Sequence, residues 1–121
     1  MLTIYGIKNC STMKKAFDFF DQVGVAYGFF DYKKQAPTAE LLRSWIDQLG
    51  LDVVINKRGT TWRKLTELQQ AEAGQADSAI ALLQAQPSLI KRPIITDDSG
   101  KVLLVGFDPA SYQAMLTPST T

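Results

Sequence analysis

Residues 2–32 read LTIYGIKNCSTMKKAFDFFDQVGVAYGFFDY, and the reading of this stretch decides the fold. Leu2 to Ile7 is a short apolar run rich in β-branched and aromatic side chains. It ends in the polar Lys8-Asn9-Cys10-Ser11-Thr12, as a strand feeding a tight loop does. Met13, Ala16, Phe17, Phe20 and Val23 then recur at the spacing of an amphipathic helix, while Lys14, Lys15, Asp18, Asp21 and Gln22 fall on other faces. Gly24 stops that helix. Val25 to Tyr32 is aromatic, with little polar content before Asp31, and reads as a mostly buried second strand. Two strands joined through a helix form a parallel βαβ unit.

Working outward, Pro37-Thr38 supplies a proline and an N-cap, and Leu41, Leu42, Trp45, Ile46 and Leu49 line one stripe before Gly50. Leu51 to Ile55 reads as an apolar connector and Lys57-Arg58-Gly59 as a basic turn. Thr60 or Thr61 caps a further helix bearing Trp62, Leu65 and Leu68, and both Trp45 and Trp62 are expected in the core. Asp77 caps one more helix, with Ile80, Leu82 and Leu83, which must stop near Pro87. Ile94 to Thr96, the turn Asp97-Asp98-Ser99-Gly100 and Lys101 to Phe107 form an antiparallel hairpin. Asp108-Pro109 opens a last helix through Leu116.

The order β, α, β, helices, β, β, α gives an α/β thioredoxin-like fold: one four-stranded mixed sheet covered by helices, interrupted by a helical insertion. The expected organisation is a single domain over residues 1–117, with its core at about 1–34 and 89–117 and the insertion at about 35–88. A frayed polar tail follows at 118–121.

Composition narrows the chemistry. The 121 residues are 45% hydrophobic and 21% charged, and 13 Lys and Arg against 12 Asp and Glu leave a net charge of +1. That balance supplies no global field for direct nucleic-acid or membrane binding, so any anion site must be local. There is no histidine, which excludes Ser/His/Asp triads, Cys/His dyads and His-ligated metal sites. A single cysteine cannot pair within the chain or build an ordinary zinc site, so no metal is expected. A monomer in reducing cytoplasm is expected. The first ten residues do not read as a signal peptide, and Val102 to Val105 is far too short to cross a bilayer.

Cys10 falls at the carboxyl end of the first strand, where ligand crevices of open α/β sheets lie. A free cysteine is often just a small buried hydrophobe. Here its polar neighbours Lys8, Asn9, Ser11 and Thr12 oppose deep burial and favour a functional thiol. Making the thiolate the main form at neutral pH takes about 2.7 kcal/mol of preferential stabilisation. A helix N-terminus typically supplies ~0.3 to 1 kcal/mol, and ~2 in a favourable setting. A cation is therefore needed as well. Arg92, which precedes Pro93 at the start of the third strand, is the best placed, and Arg58 and Lys8 are further candidates. Arginine forks hold oxyanions bidentately, whereas Lys14 and Lys15 read as solvated surface. X-Pro bonds are usually trans, and nothing in the sequence selects cis for Arg92-Pro93. Any sulfur adduct on Cys10 must be resolved by a thiol from outside the chain.

Tyr5-Gly6-Ile7-Lys8-Asn9-Cys10, Lys14-Lys15-Ala16, Asp31-Tyr32, Arg58-Gly59-Thr60-Thr61-Trp62-Arg63-Lys64-Leu65, Ile90-Lys91-Arg92-Pro93 and Gly106-Phe107 occur in order along nearly the whole chain. In these blocks the sequence resembles the arsenate reductase-like family, ArsC/Spx, and most closely its YffB-type branch. The resemblance implies a thioredoxin-like core and a glutathione-dependent thiol or oxyanion reductase. In that reading Cys10 is the nucleophile, and Arg92, Arg58 and Lys8 stabilise the thiolate or an anionic substrate. Asn9, Ser11, Thr12 and Pro93 contact the substrate or glutathione. No cofactor is bound; glutathione is the cosubstrate, with glutaredoxin as a further partner. Arsenate-reducing members carry a third arginine where this chain has Leu104-Val105-Gly106-Phe107, a departure that argues against arsenate. The Spx branch implies an alternative, a redox-sensing module that binds the transcription apparatus. Its Cys-x-x-Cys switch is replaced here by Cys10-Ser11-Thr12-Met13, which excludes an internal disulfide.

Overall fold

The computed structural model describes residues 1–116, so the tail expected at 118–121 lies outside the described residues. The chain divides into two compact units, Met1–Phe30 with the segment from Arg92 onward, and Asp31–Lys91.

The first unit is built on a mixed four-stranded sheet, the thioredoxin-like arrangement. Its strands are β1 (Leu2–Gly6), β2 (Tyr27–Asp31), β3 (Ile94–Thr96) and β4 (Val102–Val105), in the order β2-β1-β3-β4. β3 runs antiparallel to both β1 and β4, and the register aligns Ile4 with Ile95 and Ile95 with Leu104. This row forms one buried face. Met13, Ala16 and Phe20 of helix α1 (Ser11–Val23) and Tyr112 of helix α7 (Pro109–Leu116) pack against it. Side chains three and four apart on α1 thus reach the sheet together, which is what the apolar spacing requires. Fully burying each such side chain is worth about 1.5–3 kcal/mol, so the cross-strand row and α1 hold this unit.

The ends of α1 follow from the chain's local chemistry. At its carboxyl end Gly24 takes the left-handed conformation (φ 73°) and its N–H donates to the Phe20 carbonyl. A residue bearing a Cβ would be strained there. At its amino end the cap position is Cys10 itself, in extended conformation, and the Lys14 N–H donates to the Cys10 carbonyl at 3.0 Å. The β3–β4 turn is closed by Asp97, whose Oδ1 accepts from the Ser99 and Lys101 amides at 2.9 and 3.1 Å. Asp108 begins the last helix as the sequence implies, accepting from the Ser111 N–H at 3.1 Å.

The second unit is helical. It comprises α2 (Ala39–Leu49), α3 (Leu51–Val54), α4 (Thr60–Arg63), α5 (Glu67–Glu72), α6 (Ala76–Ala85) and a 3₁₀ turn at Pro87–Leu89. Thr38 caps α2 by accepting from the Leu41 N–H, and α2 packs on α3 and α6. Leu42 and Trp45 are fully buried there, with Ala79, Ile80, Leu82 and Leu83 of α6 also buried.

Four expectations are corrected in this unit. The segment Leu51–Ile55 is not a plain connector, because it makes the one-turn helix α3. No single helix carries Trp62, Leu65 and Leu68: Thr66 interrupts it and starts α5 with a capping box, exchanging hydrogen bonds with Gln69. The helix after it is capped at Gln75 rather than Asp77, which lies in its first turn and pairs with Arg43 at 2.6 Å. Trp62 also departs from its expected place. It is only half-buried, and Lys57 Nζ stands 5.5 Å from its ring centroid.

Candidate functional site

The site begins where β1 hands over to α1. Gly6 is buried at the end of the strand, and a Cβ there would collide with Met13 Sδ. The absence of a side chain therefore lets the buried Met13 seat the first turn of α1 against the strand. Four residues on, Cys10 is half-buried at the head of the helix.

Three neighbours act on its sulfur. Partial burial is the largest influence and opposes ionisation. Against it work the Met13 and Thr12 backbone amides and then the Arg92 guanidinium, through a hydrogen bond and through its charge. Together they outweigh burial and hold the Cys10 thiol below its ordinary pKa. The sulfur closes no full cap hydrogen bond in the helix, so the amides favour the anion by orientation and proximity.

Arg92 is delivered by the chain just before β3. The Arg92–Pro93 peptide bond is cis, and the buried Pro93 accepts the Gly106 N–H at 2.8 Å through its carbonyl. Arg92 is half-buried.

Cys10 opens onto a cleft of about 410 Å³ within the first unit, lined by Lys8, Asn9, Cys10, Ser11, Lys14, Phe17 and Asp18. Of the residues singled out from sequence, the cleft gathers Lys8, Asn9, Cys10 and Ser11, while Thr12 and Arg92 act on the sulfur as described. Arg58 belongs to the second unit. There it borders a separate cleft of about 350 Å³ with Asp52, Lys57 and Lys91. Its backbone N–H donates to Asn56 Oδ1 at 3.1 Å, and its exposed guanidinium has no partner among the described residues. That cleft is brought together by the Ile55–Ile90 bridge, with the Asn56 N–H on the Leu89 carbonyl and the Lys91 N–H on the Val54 carbonyl, both at 2.7 Å.

Lys14, Phe17 and Asp18 line the thiol cleft although the sequence reading placed Lys14 on solvated surface and Phe17 with the core. The signal that finds them is helical spacing counted from the nucleophile: positions 10, 14, 17 and 18 share one face of α1. Among the described residues no group of three or more His, Cys, Asp or Glu could hold a metal ion, and no helix is long and apolar enough to cross a membrane.

Comparison with known proteins is consistent across nearly the full length. The ArsC family model matches residues 5–115. The solved structure of a protein named YffB superposes with a TM-score of 0.88 at 46% identity, covering 97% of this chain and 100% of that one. An uncharacterised protein of Haemophilus influenzae is 42% identical over 114 residues, covering 94% of this chain and 97% of that protein. The global transcriptional regulator Spx of Listeria innocua is 29% identical over 120 residues, covering 96% of this chain and 87% of that protein.

Proposed function

The chain belongs to the ArsC family, and from that premise we propose that it is a glutathione-dependent thiol/oxyanion reductase, acting on a disulfide or an oxyanion with Cys10 as its nucleophile. The observation that carries this reading is the setting of Cys10: a half-buried thiol at a helix head, held below its ordinary pKa by the Met13 and Thr12 amides and Arg92, and open to a cleft. A thiolate in that position attacks a substrate sulfur directly, forming a mixed disulfide and expelling a thiolate. The adduct is then resolved by a second thiolate, which attacks it, regenerates Cys10 and carries away the oxidised product. Because the chain has no other cysteine, glutathione or a glutaredoxin supplies that thiolate.

Arg92 stabilises the Cys10 thiolate, and Lys8 adds positive charge at the cleft. Arg58, on the second unit, presents an exposed guanidinium suited to an anionic substrate. The run Leu104-Val105-Gly106-Phe107 contains no arginine, and this favours a sulfur substrate over arsenate.

Mass spectrometry after exposure to glutathione disulfide tests the reading. One glutathione per native chain, none on Cys10→Ser, and its removal by reduced glutathione are expected. Uptake no faster than that of an unperturbed thiol would overturn it. The Spx relative supports a second reading, a module that binds the transcription apparatus. In that case the Cys10→Ser chain keeps its partners and its biological effect, whereas the reductase reading requires both thiol chemistry and effect to be lost.

A further inference from the structure

Gly6 ends β1 at a place where the backbone does not call for glycine. Its φ is not positive, unlike that of Gly24, Gly50, Gly100 and Gly106, so a residue bearing a Cβ could take its conformation. Within a strand glycine forgoes a packing side chain and costs conformational entropy, so its presence marks a close approach. Here two neighbours approach. A Cβ on Gly6 would collide with the Met13 thioether, Sδ and Cε alike, and would stand 3.6 Å from Arg92 Cβ. The strand register accounts for the second neighbour: β1 and β3 pair Tyr5 with Ile94, and one step further sets Gly6 opposite Pro93, next to Arg92. Met13 has no room to step aside. It is fully buried in the cluster of Ile4, Phe20, Ile95 and Tyr112, where close packing passes the shift of a displaced side chain on to its own backbone.

Both neighbours also act on the nucleophile. Burial opposes the Cys10 anion; the Met13 amide is the foremost influence favouring it, followed by the Thr12 amide and Arg92. We propose that Gly6 is a positioning residue for Cys10: its bare Cα lets the Met13 side chain and the Arg92 stem close on one point, which sets the Met13 amide and the guanidinium at the sulfur. The inference rests on the thiol reading above and extends it to a residue with no side chain of its own. A methyl group at position 6 pushes the Met13 thioether away from β1, shifts the first turn of α1 and draws the amide off the sulfur. Removing Sδ and Cε from residue 13 makes room for that methyl, so a small side chain at 13 and a methyl at 6 compensate one another.

Thiolate absorbance against pH and iodoacetamide alkylation at pH 7, both on the full chain, test this. Gly6→Ala is expected to raise the Cys10 midpoint by about half a unit and to slow alkylation about threefold, the share a displaced helix-end amide accounts for. Met13→Val opens a gap at the same point and is expected to raise the midpoint as well, whereas Gly6→Ala/Met13→Val returns it to the native value. This second pair decides the matter even where Gly6→Ala alone does not fold. Leu83→Ala opens a cavity in the second unit and is expected to lower stability yet leave the midpoint native, which separates positioning from loss of stability. A native midpoint in Gly6→Ala, or a double variant whose midpoint is no lower than that of Met13→Val, would overturn the positioning role and leave the thiol reading standing. A native chain whose midpoint is not below the ordinary thiol value would overturn both.

Discussion

At Cys10 two tendencies of opposite sign meet on one atom: burial disfavours the anion, while the Met13 and Thr12 amides and Arg92 favour it. The amides belong to the helix and cannot be removed without unmaking α1, so Arg92 is the part that substitution can reach. Taking away a cation that favours the anion raises the thiol pKa and lowers the thiolate fraction at pH 7. Arg92→Gln is therefore expected to slow iodoacetamide alkylation about three- to tenfold at pH 7 and to move its pH profile upward. A second residue shows burial acting without a rescuing charge. The Tyr112 hydroxyl donates to the Gly106 carbonyl at 2.5 Å in the core, and burial pushes its pKa well above the ordinary tyrosine value. An acid whose folded pKa is raised contributes fully below its unfolded pKa, about 10, and loses that contribution as pH rises further. Urea denaturation should show the native chain losing stability above that pH, with part of the loss absent from Tyr112→Phe. At neutral pH the same variant, lacking one buried hydrogen bond, should be less stable by about 1–2 kcal/mol.

Elements differ in how openly the sequence declared them, and the difference is physical. α1 and α2 were legible because each has an apolar stripe and a terminating glycine, Gly24 or Gly50, that the structure holds at positive φ. The hairpin and α7 were legible from Asp97 to Gly100 and from Asp108-Pro109, where side-chain oxygens close the turns. The Trp62 to Leu68 stretch misled because its leucines keep helical spacing across a break. Thr66 and Gln69 decide the matter locally, since their reciprocal cap satisfies backbone donors that a continuous helix would need elsewhere. Thr66→Ala is accordingly expected to cost about 1 kcal/mol in chemical denaturation, with Cys10 alkylation unchanged. The candidate site was half legible. The loop residues from Lys8 to Thr12 stand out by polarity, and Arg92 by its place before Pro93. Lys14 and Asp18 did not, because a charged residue on a helix surface looks the same whether or not a cleft lies beside it. The cis bond at Arg92–Pro93 carried no sequence mark at all.

Across the whole molecule, chemistry and scaffold are divided between two compact units. The first holds the nucleophile, the guanidinium that acts on it and the sheet whose Ile4, Ile95 and Leu104 row anchors α1. The second holds Arg58 and a basic cleft of its own. Neither contains a second thiol, so the catalytic cycle proposed here closes only with one taken from solution or from another protein. All of this depends on the ionisation of one sulfur, and the composition makes that sulfur directly observable. With a single cysteine in 121 residues, ultraviolet thiolate absorbance followed against pH reports Cys10 alone. The expected midpoint lies below the ordinary thiol value of about 8.5, with the absorbance step missing from Cys10→Ser. A midpoint at or above that value in the folded protein would contradict the account.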